Sequence, residues 1–199
     1  MAKIEHATYC YLCGEALQRD DVARDHIPSR AIFSKLTDHQ ITLPAHRKCN
    51  LDYSEDEESF RNDISAISTS QAIWPTTVRS LSRNPGRLTD TLSRTYRDSS
   101  DGIHKLKIPK ERTERVLLKY ARGLHAYHTK KFVPPHFKSS IFFQPAVESI
   151  PINVIRKASF RGKFGGDFAY AGAIADDTGI SLWTMCFYRS VLTFVGFTD

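Results

Sequence analysis

The sequence predicts an α+β protein, and three features of the chain support this. Paired cysteines lie in the first 70 residues, one long amphipathic helix pattern begins near residue 110, and β-branched and aromatic residues alternate from residue 141 onward. A helix pattern followed by consecutive strand patterns is typical of α+β architecture. We therefore expect a head at 1–70, a basic linker at 71–108 and an α+β C-terminal domain at 109–199.

The head contains cysteines and a histidine at the spacing of a structural zinc site. Cys10-x-x-Cys13 is followed 33 residues later by His46-x-x-Cys49. Thiolate sulfur and imidazole nitrogen are the donors of tetrahedral zinc sites, and Gly14 permits the tight turn that such a pair needs. A redox pair is the alternative for the first two cysteines, but no βαβ pattern surrounds them.

An acidic helix follows the second of these pairs. Phe60, Ile64 and Ile67 recur at the spacing of one helix face. Ser54 and Glu57 form a capping box, which predicts that the helix begins at Ser54.

Charge is distributed unevenly along the chain. Residues 1–70 contain 8 basic and 12 acidic residues, whereas residues 71–140 contain 15 basic and 5 acidic residues. A basic middle segment beside an acidic head indicates a surface that binds a polyanion, and a merely solvated basic face is the alternative. We expect the linker to be partly irregular, with its arginines extending the basic surface. These arginines are Arg83, Arg87, Arg94 and Arg97.

The predicted helix of the C-terminal domain has two different faces. Its apolar face consists of Leu117, Tyr120, Ala121, Leu124 and His128. Its basic stripe consists of Arg112, Arg115, Lys119 and Arg122, which we expect to bind nucleic-acid phosphates without base specificity. Three to five antiparallel strands should follow, with Cys186 as an inert core thiol.

Taken in order, the motifs of residues 9–62 resemble the HNH (ββα-metal) endonuclease family. They read "CYLCG", "RDHIPSR", "ITLPAHRKCN" and "SEDEESFR", and are closest to small bacterial HNH proteins with a zinc knuckle. Many members have Cys-x-x-Cys as the second knuckle, whereas this chain has His46 in the first position, an exchange that zinc accepts. For the middle position of the motif, the chain offers His39 and Gln40.

The resemblance implies a ββα-metal head and a set of residue roles. His26 would be the general base that activates water, and Asp25 and Asn50 would hold one catalytic Mg²⁺ or Mn²⁺. Glu58 would complete the metal shell, with Glu57 and Asp56 as alternatives. Arg30 would contact a phosphate, and the Cys10, Cys13, His46 and Cys49 site would hold structural Zn²⁺.

These features predict a metal-dependent endonuclease that hydrolyses DNA, with RNA left open as a substrate. The alternatives are a catalytically inactive zinc-stabilised module that binds nucleic acid, and a redox or zinc-only interaction protein. The sequence disfavours a zinc nucleoside deaminase, because the His-x-Glu motif followed by Pro-Cys-x-x-Cys is absent. With no predicted membrane span and no signal peptide, we expect a cytoplasmic protein of a bacterium or phage. Its oligomeric state is left open, a homodimer included.

Overall fold

The fold begins with a small hairpin and ends with a larger antiparallel sheet, as the α+β expectation requires. The computed structural model describes residues 9–33, 40–68, 74–97, 99–100, 104–145, 149–175 and 180–199. In the head these are β1 (Val22–Ile27), β2 (Ile41–His46), α1 (Arg47–Leu51) and α2 (Ser54–Ala66). The middle segment contains α3 (Trp74–Arg83), α4 (Pro85–Ser93), β3 (Thr95–Arg97) and β4 (His104–Leu106). A mixed α/β fold with antiparallel sheets is thus confirmed.

The hairpin of the head determines the faces on which Asp25 and His26 lie. β1 and β2 are antiparallel, with Asp25 opposite Leu43 and His26 opposite Thr42. Because successive side chains of a strand point to opposite faces, the two neighbours cannot share a face. Asp25 is buried, whereas His26 lies on the half-buried face.

Helix α2 begins where the sequence predicts, but its cap differs. Phe60 and Ile64 are buried on one face, as their spacing predicts. The predicted capping box is wrong, because Tyr53 occupies the N-cap position and makes no side-chain cap. Ser54 donates to the Leu51 carbonyl, and the Glu57 carboxylate accepts from Lys119.

The middle segment, which we expected to be partly irregular, contains two helices and a short hairpin in its described residues. Helix α4 was not predicted because the Asn84-Pro85-Gly86 sequence is typical of a turn. The Asn84 side chain accepts from the Arg87 amide and caps α4, and Pro85 takes the first turn of that helix. Proline is favoured at this position because its missing N–H would have had no helical partner.

Helix α5 (Lys110–Thr129) confirms the predicted long helix and its apolar face. Leu117, Tyr120 and Leu124 are fully buried. Gly123 also lies inside, because a Cβ at this position would lie 2.5 Å from the Ile27 side chain. The glycine therefore lets β1 approach the helix closely.

The C-terminal sheet has five antiparallel strands in the spatial order β5-β9-β8-β7-β6. Its elements are β5 (Lys138–Pro145), α6 (Ile152–Lys157), β6 (Phe160–Phe164), β7 (Phe168–Ile174), β8 (Ser181–Phe187) and β9 (Val191–Thr198). This confirms the predicted strands, and Cys186 is buried in β8 as expected. Most of the turn predicted at 175–179 lies outside the described residues.

One buried cluster joins the head to the C-terminal segment. It contains Cys10 and Ile27 from the head, Leu124 from α5 and Trp183 from the sheet. The residues that position the head motif are therefore held by the same core that α5 and the sheet form. Among the described helices, none has both the length and the apolar character needed to cross a membrane.

Candidate metal centre and the adjacent polar site

The four predicted zinc ligands come together in one cluster. The ligand atoms of Cys10, Cys13, His46 and Cys49 all lie within 4.8 Å of one another. Across the described residues, this is the one group of three or more His, Cys, Asp or Glu side chains placed to hold a metal ion. Three sulfurs and one imidazole nitrogen suit tetrahedral zinc.

Local turns bring the first cysteine pair into position. Gly14 has a φ of +78°, a conformation that other residues rarely adopt. Its amide donates to the Cys10 carbonyl at 2.8 Å, and the Cys10 amide donates to the Glu15 carbonyl at 2.8 Å. The second pair begins at the end of β2, where the His46 amide donates to the Cys10 sulfur at 3.4 Å.

The two nitrogens of His46 have different environments. Its Nδ1 lies 3.3 Å from the Cys13 sulfur and 3.9 Å from the Cys49 sulfur. Its Nε2 lies 3.1 Å from the Ala16 carbonyl, which can only accept a hydrogen bond. The proton therefore belongs on Nε2, which leaves the Nδ1 lone pair for a metal ion.

The thiols of the cluster favour a bound cation. Burial and the neighbouring Cys10 and Cys13 thiols raise the pKa of Cys49 to about 12. Three thiolates close together are disfavoured unless positive charge lies among them. A divalent ion supplies that charge by displacing the thiol protons, so the residues fit zinc.

Residues beside both ligand pairs of the metal cluster form hydrogen bonds with Asp25. Tyr11, between Cys10 and Cys13, donates its hydroxyl to Asp25 Oδ2 at 2.6 Å. Asn50, directly after Cys49, can turn its amide nitrogen to Asp25 Oδ1 at 3.0 Å. Asp25 and Asn50, the two residues predicted to hold a catalytic metal, therefore lie next to each other, and the Cys/His cluster positions both hydrogen-bond partners of the carboxylate.

Lys119 also binds Asp25, and this overturns its predicted place on the surface. Its Nζ lies 3.0 Å from Asp25 Oδ2 and 2.8 Å from Glu57 Oε1, and its side chain is completely buried. In the other amide orientation, the Asn50 oxygen accepts from the same Nζ at 3.3 Å. Lys119 turns inward because burying the two carboxylates requires a cation beside them.

The acids of α2 have separate roles. Glu57 is part of the buried cluster, where burial raises its pKa to about 7, although the Lys119 ammonium acts in the opposite direction. Glu58, the predicted metal ligand, instead forms an ion pair with Arg87 and lies 3.8 Å from Arg61. Asp56 is 2.5 Å from Arg115. The structure thus places Glu57, and not Glu58, in the cluster that holds Asp25.

His26 lies next to Asp25 in the chain but outside the buried cluster. Burial lowers its pKa, and the positive charge of Arg30 adds to this effect. A neutral imidazole at neutral pH can accept a proton. Arg30 itself is exposed on the short helix that follows β1.

The other basic residues that we expected to bind phosphates differ in their burial and in their partners. Arg112 and Arg115 are exposed, and both pair with Asp56. Arg122 is half-buried, and its Nε has no hydrogen-bond partner within the described parts of the chain. Arg94 is bidentate to the buried Asp63, so its role is structural.

The two residues considered for the middle position of the motif are His39 and Gln40. His39 lies outside the described residues. Gln40 is half-buried, and its side-chain nitrogen has no partner among the residues described.

A cavity of about 540 Å³, which was not predicted from the sequence, lies beside the buried cluster and has Glu57 in its wall. Its lining is Ser29, Ala31, Ser54, Glu57, Glu58, Arg61, Arg79, Arg83, Asn84 and Arg87. The signal in the sequence is the spacing of Arg79 and Arg83, which are four residues apart and lie on one face of α3, with Arg87 following on α4. The partners of that face, which come from the head, are not recognisable without the fold.

No family model, curated protein or solved structure matches this chain.

Proposed function

We propose that this protein is a nuclease of the HNH type that hydrolyses phosphodiester bonds in DNA. The observation that carries the proposal is the arrangement of Asp25 between Tyr11, which lies between Cys10 and Cys13, and Asn50, which directly follows Cys49 of the metal cluster. His26 follows Asp25 directly on β1. The order of Cys pair, Asp-His strand, second pair and Asn is the order that the HNH resemblance requires.

In this proposal the His26 imidazole accepts a proton from water. The water oxygen then bonds to phosphorus, the bond from phosphorus to the leaving oxygen breaks, and the leaving oxygen takes up a proton. General-base catalysis of this kind contributes roughly 10²–10⁴ in rate. The lowered pKa of His26 supports this role, because the unprotonated imidazole is the form that accepts the proton.

The predicted Mg²⁺ or Mn²⁺ does not fit the polar site as it stands. Asp25 and Asn50 offer the oxygen donors that such ions prefer. However, the Lys119 ammonium already lies 3.0 Å from Asp25 and 2.8 Å from Glu57. A divalent cation on Asp25 would be close to this positive charge in a buried place, so we assign no step to it.

The same observation favours a second function, a zinc-stabilised module that binds nucleic acid without cleaving it. A buried lysine on Asp25 compensates the carboxylate without any catalytic metal. The two functions share the zinc site and differ in whether His26 acts on a substrate.

Cleavage of supercoiled plasmid distinguishes the two functions. The protein is incubated with Mg²⁺, with Mn²⁺ or with neither, and a matched RNA substrate is included. The nuclease predicts nicked or linear plasmid, and a loss of about 100-fold or more in rate for His26→Ala. His136→Ala, which removes an exposed histidine outside the site, should leave the rate unchanged.

Zinc content is measured for each variant, so that a loss of rate is not caused by loss of the structural metal. Binding of the plasmid without any cleavage, under all metal conditions, would support the non-catalytic module. A fully active His26→Ala variant would contradict the assignment of the base.

A further inference from the structure

The cavity of about 540 Å³ lies between the head and the two helices of the middle segment. Ser54 and Arg61 come from α2, Arg79 and Arg83 from α3, and Arg87 from α4. Four arginines therefore converge on one concave surface from three different helices. A guanidinium group presents its N–H donors in a planar fork that matches the oxygens of a phosphate.

The charges around the cavity do not cancel. Of the two lining carboxylates, Glu58 is paired with Arg87 and Glu57 is paired with Lys119 from outside the cavity. Arg79 and Arg83 have no acidic partner within the described parts of the chain. The lining is thus left with an excess of positive charge.

Arg61 is held in place as part of the wall. It is 6% exposed, and its Nη2 donates to the Asn62 side chain at 2.7 Å. Burial lowers its pKa, which reflects the cost of removing the guanidinium from water. An anion in the cavity would offset part of this cost.

The cavity is connected to the proposed catalytic residues through Glu57 and through the segment that follows His26. Ser29 and Ala31, which line it, follow His26 by only a few positions along the chain. Glu57 lines it as well and contacts Lys119, which in turn contacts Asp25. An anion in this cavity would therefore lie beside the face of the head that carries the motif.

We propose that this cavity binds a phosphate group, and that the phosphate belongs to the backbone of a DNA strand. The inference rests on the proposed function, because it assumes a strand whose scissile phosphate lies at His26 and whose neighbouring phosphates extend along this surface. Arg79 and Arg83 are the residues that bind, and Arg61 forms the rigid wall. Free phosphate or a free nucleotide is the other source of the same chemistry.

The test compares two double variants that lose the same charge. Arg79→Gln with Arg83→Gln removes the two cavity arginines that have no acidic partner among the described residues. Arg156→Gln with Arg161→Gln removes two exposed arginines of α6 and β6 and serves as the control. Both are made in a His26→Ala background, which keeps the DNA intact, and binding of a labelled oligonucleotide is followed by fluorescence anisotropy across a salt series.

We expect the cavity variant to bind about tenfold more weakly near 0.1 M salt, with a salt slope lower by about two, one for each arginine that no longer binds a phosphate. The control should keep the affinity and slope of the parent. Equal losses in the two variants, or none in the cavity variant, would overturn the proposal. Thermal melting and zinc content establish folding, and the single variant Arg83→Gln replaces the double variant if that one is unfolded.

Inorganic phosphate and a mononucleotide form the second arm, measured by calorimetry. Binding of either that depends on Arg79 and Arg83, without any effect on oligonucleotide affinity, would overturn the strand assignment in favour of a free anion. Oligonucleotide binding that depends on these arginines, in a protein that cleaves nothing, would retain the cavity proposal and reject the nuclease. Cleavage by the parent protein, together with unchanged oligonucleotide binding by the cavity variant, would support the nuclease and reject the cavity proposal.

Discussion

Lys119 is the residue whose environment differs most from its sequence pattern. On the helix it occupies the same stripe as Arg112 and Arg115, yet its side chain is completely buried between Asp25 and Glu57. A buried ion pair contributes little net stability, but removing one partner leaves a charge without compensation. The main effect of losing Lys119 would therefore be two buried carboxylates without a counterion.

Replacing Lys119 with Met should lower the free energy of unfolding by roughly 3–5 kcal/mol, because Asp25 loses its buried counterion. Lys110→Met is the control, since that side chain is 84% exposed and should change stability by less than about 1 kcal/mol. Denaturant unfolding measures both. A Lys119→Met protein as stable as the parent would mean that the ammonium does not compensate these carboxylates.

The same variant tests the catalytic metal. Without the ammonium, the oxygens of Asp25, Glu57 and Asn50 become free to bind a hard cation. We expect Mn²⁺ to raise the melting temperature of Lys119→Met more than that of the parent. An equal shift in both proteins would show that Lys119 does not compete with a metal at this site.

The zinc cluster permits a prediction at the same scale. The purified protein should contain about one zinc per chain, and Cys13→Ala should lose it and unfold the head. Cys186→Ala removes a buried thiol outside the cluster, so it should keep the zinc. Elemental analysis and circular dichroism measure these outcomes, and a zinc-free Cys13→Ala protein with an intact head would contradict a structural role.

At the scale of elements, the contact of α5 with β1 depends on Gly123. Helix propensity alone favours alanine over glycine inside a helix. A Cβ here would lie 2.5 Å from an Ile27 carbon atom, and Ile27 is the residue that follows His26 on β1. Packing between the two elements therefore outweighs the local preference of the helix.

Gly123→Ala should destabilise the protein by about 1–3 kcal/mol, because the new methyl group overpacks the core against Ile27. Gly86→Ala in α4 is the matched control, since the atom nearest to its Cβ is 3.5 Å away. That substitution should raise stability by about 0.5–1 kcal/mol. Thermal unfolding of both variants decides, and a stabilised Gly123→Ala protein would refute the close approach.

At the scale of the whole molecule, three aromatic rings join the head, α5 and the sheet. The centroid of Phe60 lies 6.3 Å from that of Tyr120 and 5.3 Å from that of Phe187. All three side chains are almost completely buried. Because each ring belongs to a different part of the chain, we expect these parts to unfold together.

Phe60→Ala should lower the free energy of unfolding by about 3–5 kcal/mol and destabilise the sheet as well as the head. Phe142→Ala, at a position 57% exposed on an outer strand, should have a much smaller effect. Fluorescence of the buried Trp183, measured in a Trp74→Phe background, and release of zinc follow the two regions separately. Two separate transitions in the parent protein would contradict a shared core.

The sequence by itself determined the elements whose signal is local. The Cys-x-x-Cys and His-x-x-Cys pairs define four ligands that do assemble, because short knuckles need only a few residues to form. Leu117, Tyr120 and Leu124 define the buried face of α5, and alternating residues define the strands, since both periods follow from backbone geometry. Helix α4 within the partly irregular linker was not predicted, because Asn-Pro-Gly is equally typical of a turn and of the start of a helix.

Only the tertiary structure decided which polar residues face inward. Helical spacing places Lys119 with the arginines, and nothing local indicates that Asp25 and Glu57, from distant parts of the head, meet it. The same holds for Gly123 against Ile27 and for the convergence of Arg61, Arg79 and Arg83 on one cavity. The residues that neighbour a charged residue or a glycine in the sequence do not indicate which side chain it will contact in the fold. Its contribution to stability depends on partners from distant parts of the chain, which only folding brings together.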